Sequence, residues 1–190
     1  TGAFLGFLNG ALIVYIGLSA LVSTLGMNFL LRGFINIQAE GYSIAIAEEL
    51  RGSFIQQLIT GIHIFGIPNQ IFWALGFAIF GMFLYNFHKF GVHAHCIGDH
   101  PGSSQEMGIN VNRTRIMLFV FSGIGAALAG IFTTMVNFVW YPTTGDALML
   151  PVLAGIFVGG TPTWGGIGTV LGGVFGVAIV QFIETGVIAA

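Results

Sequence analysis

Charge is scarce in this sequence. Five basic and seven acidic side chains are spread over 190 residues, 6% of the chain, where a soluble domain carries about 25%. That shortage excludes a water-facing globular surface. A net charge of −2 gives no basic face for nucleic acid and no strongly charged partner. Cysteine occurs once, at Cys96, which excludes an internal disulfide. Lysine also occurs once, as Lys89 between His88 and Phe90. A phosphate-binding loop of the G-x-x-x-x-G-K-[ST] kind needs its lysine after a glycine, so no such site exists here. If nucleotide drives this protein, another chain must bind it. The chain opens inside one apolar run without Met and stops inside another, and reads as a portion of a longer protein.

What the sequence has in abundance is apolar length. Hydrophobic residues make up 55% of the chain and the mean hydropathy is +0.92. A membrane span needs about 20 apolar residues. Six segments qualify as candidates, at Gly2–Ser19, Leu21–Ile37, Gln70–Phe87, Ile116–Val139, Ala147–Gly159 and Ile167–Ile183; the second and fifth are short for the task. The expected fold class is all-α, a polytopic transmembrane helical bundle of about six spans, forming one domain over residues 1–190. The 30 glycines lack a tripeptide period, which excludes collagen and points instead to backbones in close approach in lipid. Pro162 and its neighbouring glycines break any helix across Gly159–Gly168. The mixed stretch Gln38–Asn69 holds Glu40, Glu48, Glu49 and Arg51, and a short interfacial helix is expected over Ser53–Ile64.

Orientation follows from Phe90–Arg115, the main polar interruption, flanked or occupied by Lys89, Arg113 and Arg115. Basic residues beside short loops favour the cytoplasmic side. The acidic stretch around Glu48 and the turn Trp140–Asp146 are then expected outside, with Trp73, Tyr85, Trp140 and Tyr141 as interfacial aromatics. An internal echo accompanies this topology. Gly2, Leu5, Gly6, Gly10, Ile13 and Val14 align without gaps on Gly168, Leu171, Gly172, Gly176, Ile179 and Val180. These are the first and sixth spans, five crossings apart, so an inverted repeat is expected, as in many transporter folds. Chance likeness between two glycine ladders is the plainer alternative.

Four stretches carry a family resemblance: Leu8–Gly33, Ile97–Arg115, Phe121–Ile131 and Val158–Gly176. In order and spacing they resemble the membrane permease of ribose- and xylose-type ABC importers, a family related to the branched-chain amino-acid permeases. The resemblance implies ten spans in two inverted halves, of which this chain matches spans four to nine. It also implies two ATPase subunits, a periplasmic solute-binding protein, a second permease copy and a location in the bacterial inner membrane. The cargo would be a simple sugar or similar small solute, with no cofactor on this chain and no nucleic acid. By the same resemblance, residues 88–115 form a cytoplasmic coupling loop that enters the ATPase through Gly98, Asp99, His100, Pro101, Gly108 and Ile109. Asp99 as N-cap, Pro101 in the first turn and Gly108 at the end suit a short rigid helix. Ser103, Ser104, Gln105, Glu106 and Met107 depart from the small apolar and basic residues usual there.

Other polar residues read more plainly. His88, His93, His95, Cys96 and His100 fit no standard zinc spacing and are read as solvated loop residues, with no metal expected. Arg32, Asp146 and Glu184 are the ionisable groups within or near spans, and a boundary position suits each better than a role in transport. Asn9, Asn28 and Asn137 are candidate pathway residues, with Thr133, Thr134 and Gln181 as further polar positions. The broken segment contributes Gly159, Gly160, Gly165 and Gly166, since interrupted helices gather at transport pathways. The alternative is an ion- or proton-coupled secondary carrier or channel without an ATPase, which calls for titratable groups mid-span that this chain almost lacks. A membrane enzyme lacks any nucleophile–base or metal constellation.

Overall fold

The computed structural model describes residues 1–40, 42–45, 59, 61–63, 67–163 and 165–189. Among them α1 (Gly2–Ala11) continues through a π turn, Leu12–Ile16, and α2 covers Ala20–Ala39. Next come α3 (Asn69–Phe87), α4 (Lys89–Asp99), α5 (Pro101–Glu106) and α6 (Val111–Asn137). A 3-10 turn at Asp146–Leu148 leads into α7 (Met149–Val158), and α8 covers Val170–Ala189.

Among the described residues, four helices are long and apolar enough to cross a membrane: α2, α3, α6 and Val170–Val187 of α8. Gly2–Ile16 and Asp146–Val158 are shorter apolar helices. The chain is a predominantly α-helical, multi-pass membrane protein. The six segments fall where expected, with corrected lengths. The second, expected to be short, has 20 residues. The first stops at Ile16, because Gly17 turns to a φ of +77°. The fourth stops at Asn137, where Phe138 takes a φ of +55°. The last starts at Val170 rather than Ile167, since the Thr169 hydroxyl accepts the Gly172 amide at 3.0 Å and caps the helix.

The chain divides into two compact units. Thr1–Trp73 with Arg115–Thr144 forms one, and Ala74–Thr114 with Gly145–Ala190 the other. In the first, α1 lies on α6 through one glycine per turn. A Cβ on Gly6 would overlap the Phe119 carbonyl, one on Gly10 would reach 2.9 Å from Ile116 Cα, and Gly123 abuts the Gly2 carbonyl. In the second, α7 and α8 meet the same way, Gly155 against Val177 and Gly159 against Gly172. Gly6 and Gly10 are the echo partners of Gly172 and Gly176, and all four sit in such contacts.

Two small ladders complete the first unit. β1 (Ile44–Ala45) pairs antiparallel with β4 (Val139–Trp140), Ile44 opposite Trp140. β2 (Ile62–His63) pairs with β3 (Ile67–Pro68). The acidic residues Glu48 and Glu49 and Arg51 lie outside the described residues, as does most of the interfacial helix expected over Ser53–Ile64. Of its described residues, Ile62–His63 form strand instead of helix.

Burial is inverted relative to a water-soluble protein. Among the described residues, Ile97 and Val111 are the buried apolar side chains, while Phe34, Phe175 and Phe182 are among many exposed ones. In lipid such exposure costs nothing, and helices associate through small residues and close packing instead.

Candidate functional site

The polar stretch Phe90–Arg115, expected to be a loop around one short helix, is mostly helical. His88 caps α4, its Nδ1 accepting the Phe90 amide at 3.2 Å. α4 then ends at Asp99, and His100 breaks the chain with φ −140° and ψ 98°. Pro101 is the cause, since a residue before proline is driven out of the helical region. The N-cap of α5 is therefore His100, not the expected Asp99, which belongs to the end of α4. Pro101 takes the first position of α5, where its missing N–H leaves nothing unsatisfied.

α5 closes on Gly108 with paired bonds. The Gly108 amide donates to the Gln105 carbonyl at 2.9 Å and the Ile109 amide to the Ser104 carbonyl at 3.0 Å. This double closure requires a left-handed residue, and Gly108 has a φ of +80°. Asn110 then starts α6, its Oδ1 accepting the Arg113 amide at 3.0 Å. One side chain roots α5 in the protein: Ser104 is 1% exposed and its hydroxyl donates to the His100 carbonyl at 2.9 Å. Pro101, Gly102, Ser103, Gln105, Glu106 and Met107 all face outward. Of the residues assigned to the coupling role, Asp99, His100, Pro101 and Gly108 are exposed, whereas Gly98 and Ile109 are partly covered.

Gly98 is covered by the broken glycine segment. A Cβ on Gly98 would sit 2.5 Å from the Gly166 amide nitrogen, and one on Gly166 3.0 Å from Asp99 Cα. Gly165 and Gly166 are both left-handed, with φ of +85° and +76°. Two side chains hold the turn. His95 Nδ1 lies 3.0 Å from the Gly166 carbonyl, and since a carbonyl only accepts, this nitrogen carries the proton. The Tyr85 hydroxyl donates to the Gly168 carbonyl at 3.1 Å. The Tyr85 and His95 rings themselves lie 4.4 Å apart. Two sequence features that seemed separate, the polar elbow and the glycine break, are thus in contact within one unit. Ser104, Tyr85 and the bond made by His95 went unrecognised in the sequence: His95 stood out only as part of a histidine cluster, and nothing marked Tyr85 beyond its place near a span end.

The candidate pathway residues are divided between the units, with Asn9, Asn28 and Asn137 in the first and Gly159, Gly160, Gly165 and Gly166 in the second. Asn9 lines a cavity of about 380 Å³ with Thr24, Phe119 and Ser122, and its Oδ1 is buried without a hydrogen-bond partner. Asn28 and Asn137 are exposed. The Thr133 and Thr134 hydroxyls are spent on carbonyls of their own helix, Ala129 and Gly130. Gly159 serves helix packing, while Gly160 borders a cavity of about 520 Å³ with Thr161, Pro162 and Thr163. Glu184 accepts from Gln181 Nε2 at 3.3 Å, one turn back on α8.

The family model described as branched-chain amino acid transport system / permease component matches residues 1–190. The chain belongs to that permease family. Among curated relatives, the ribose import permease protein RbsC of Haemophilus influenzae is 30% identical, matching 96% of this chain and 56% of its own length. The autoinducer 2 import system permease protein LsrC of Klebsiella pneumoniae is 32% identical, over 97% and 52%. The inner membrane ABC transporter permease protein YjfF of Escherichia coli is 34% identical, over 97% and 54%. The chain spans about half the length of the curated relatives it matches. No solved structure matches it.

Proposed function

We propose that this chain is the membrane-embedded part of a permease subunit in an ATP-driven importer of a simple sugar or similar small solute. It works in the bacterial inner membrane. ATP is hydrolysed on a separate subunit, a periplasmic binding protein delivers the solute, and a second permease copy completes the conduit. The relatives named for ribose and autoinducer 2 import support the cargo class. The single lysine, Lys89, sits outside any phosphate-binding pattern, which supports a nucleotide site on the partner.

The observation that carries the reading is α5: a six-residue helix, started by Pro101, closed at its C-terminal end on Gly108, rooted by Ser104 and otherwise exposed. Such a knob transmits displacement, where a floppy loop would absorb it. Its outer surface, Asp99 to Pro101 with Ser103 and Gln105–Met107, is the face offered to the ATPase. The left-handed φ at Gly108 sets where the chain leaves the knob.

The test uses the full-length permease co-expressed with its ATPase. Replacing Asp99–Pro101 by Gly/Ser, or Gly108 by Val, is expected to abolish ATPase co-purification and ATPase stimulation while membrane insertion stays intact. Gly108→Asn, which tolerates a left-handed φ, is expected to retain most of both. Normal ATPase association after the Asp99–Pro101 replacement would overturn the docking role.

A further inference from the structure

We propose that His95 and Tyr85 are positioning residues that clamp the Gly165–Gly168 turn to the α4–α5 elbow. Movement at the knob is then delivered to α8. This rests on the docking reading of α5 given above.

The turn has little of its own to hold it. Gly165 and Gly166 are successive left-handed glycines, and among the described residues the bond the turn makes with its own segment is that of the Gly165 amide to the Pro162 carbonyl, at 3.4 Å. External contacts define its place. Gly98 and Asp99, at the end of α4, lie backbone to backbone with Gly166. His95, one turn earlier on the same helix, fixes the Gly166 carbonyl. Tyr85, on α3, fixes the Gly168 carbonyl. The residue after Gly168 is Thr169, the cap of α8, and α8 is then locked to α7 through Gly172 and Gly176. A continuous series of contacts therefore runs from the exposed knob through His100, α4 and the turn into the α7–α8 pair, all within one compact unit. Backbone contact alone transmits a push from Gly98. The two side-chain bonds are what also transmit a pull, because they hold the turn when α4 moves away. Without them the turn would stay behind and the stroke would be lost between α4 and α8.

The experiment measures that linkage directly. In the full-length permease carrying Cys96→Ser, spin labels are placed at Val92→Cys on α4 and Ile167→Cys on the turn, both exposed positions outside the surface offered to the ATPase. Distances are recorded for the complex with its ATPase, nucleotide-free and vanadate-trapped. With Tyr85 and His95 present, one narrow distribution is expected in both states. Each lost bond is expected to raise the displaced population about fivefold, so Tyr85→Phe broadens the distribution and Tyr85→Phe with His95→Leu broadens it further, ATPase co-purification being unchanged. His95→Gln, whose amide N–H can still donate to Gly166, is expected to restore the narrow distribution. A variant distribution as narrow as that of the parent would overturn the clamp, as would a parent distribution already broad. Tyr85→Phe alone serves if the double variant misfolds. Failure of the ATPase to co-purify with the parent refutes the docking reading instead, and the same distances in the isolated permease still decide the clamp.

Discussion

Gly159 and Gly172 meet backbone to backbone: a Cβ built on either one would overlap the carbonyl oxygen of the other. The next residue, Gly173, has open space where its Cβ would be. Neighbouring glycines in one helix thus carry opposite costs. Gly172→Val forces α7 and α8 apart, and overpacking of this kind costs about 1–3 kcal/mol or more. Gly173→Ala is expected to be neutral or slightly stabilising, because alanine is the better helix former. Thermal unfolding of the full-length permease in detergent checks both, and equal effects at the two positions would refute this packing.

Ser104 makes a narrower prediction. Its hydroxyl and its amide both reach the His100 carbonyl, at 2.9 and 3.1 Å. Ser104→Ala removes one of two donors and is expected to cost about 1 kcal/mol, leaving the knob docked. Ser104→Leu has no room at a site 1% exposed and should displace α5, with loss of ATPase co-purification. Melting and pull-down of the two variants separate these outcomes.

Asn9 is the pathway candidate with the strongest local case. Its unpartnered Oδ1 beside a cavity of about 380 Å³ can accept from a solute hydroxyl. In proteoliposomes of the complete transporter with D-ribose as probe, Asn9→Leu should lower uptake about tenfold, on the scale of one buried hydrogen bond. Asn28→Leu and Asn137→Leu, at exposed positions, should leave uptake near the parent level. Loss of uptake at all three alike would remove the distinction.

Glu184 separates ATP-driven import from ion-coupled carriage. Its carboxylate is engaged by Gln181 on the same helix, a local contact that a neutral amide largely reproduces. Glu184→Gln should leave ATP-dependent uptake close to the parent rate. A secondary carrier relying on this group would lose transport, and its transport would persist without ATP.

Much of the fold was legible before any coordinates. Apolar length places the six segments, because lipid admits helices and rejects unpaired backbone. Pro101 and Gly108 bracket the short helix, because one lacks an amide hydrogen and the other tolerates a left-handed φ. Boundaries were less legible where they turn on one side chain or one dihedral, as at Thr169 and Phe138. The N-cap assignment missed by one residue, at Asp99 instead of His100, because the restriction that proline places on its predecessor outweighs the capping preference of aspartate.

Composition and local chemistry alone determined that this chain lives in a membrane, where its helices lie, and that a stiff polar elbow interrupts them. Those properties depend on residues within a few turns of one another. Which of the thirty glycines are contact points, and that His95 and Tyr85 reach across to Gly166 and Gly168, only the tertiary structure decided. Such pairs are separated by seventy or more residues, and a glycine carries no side chain to announce what it touches.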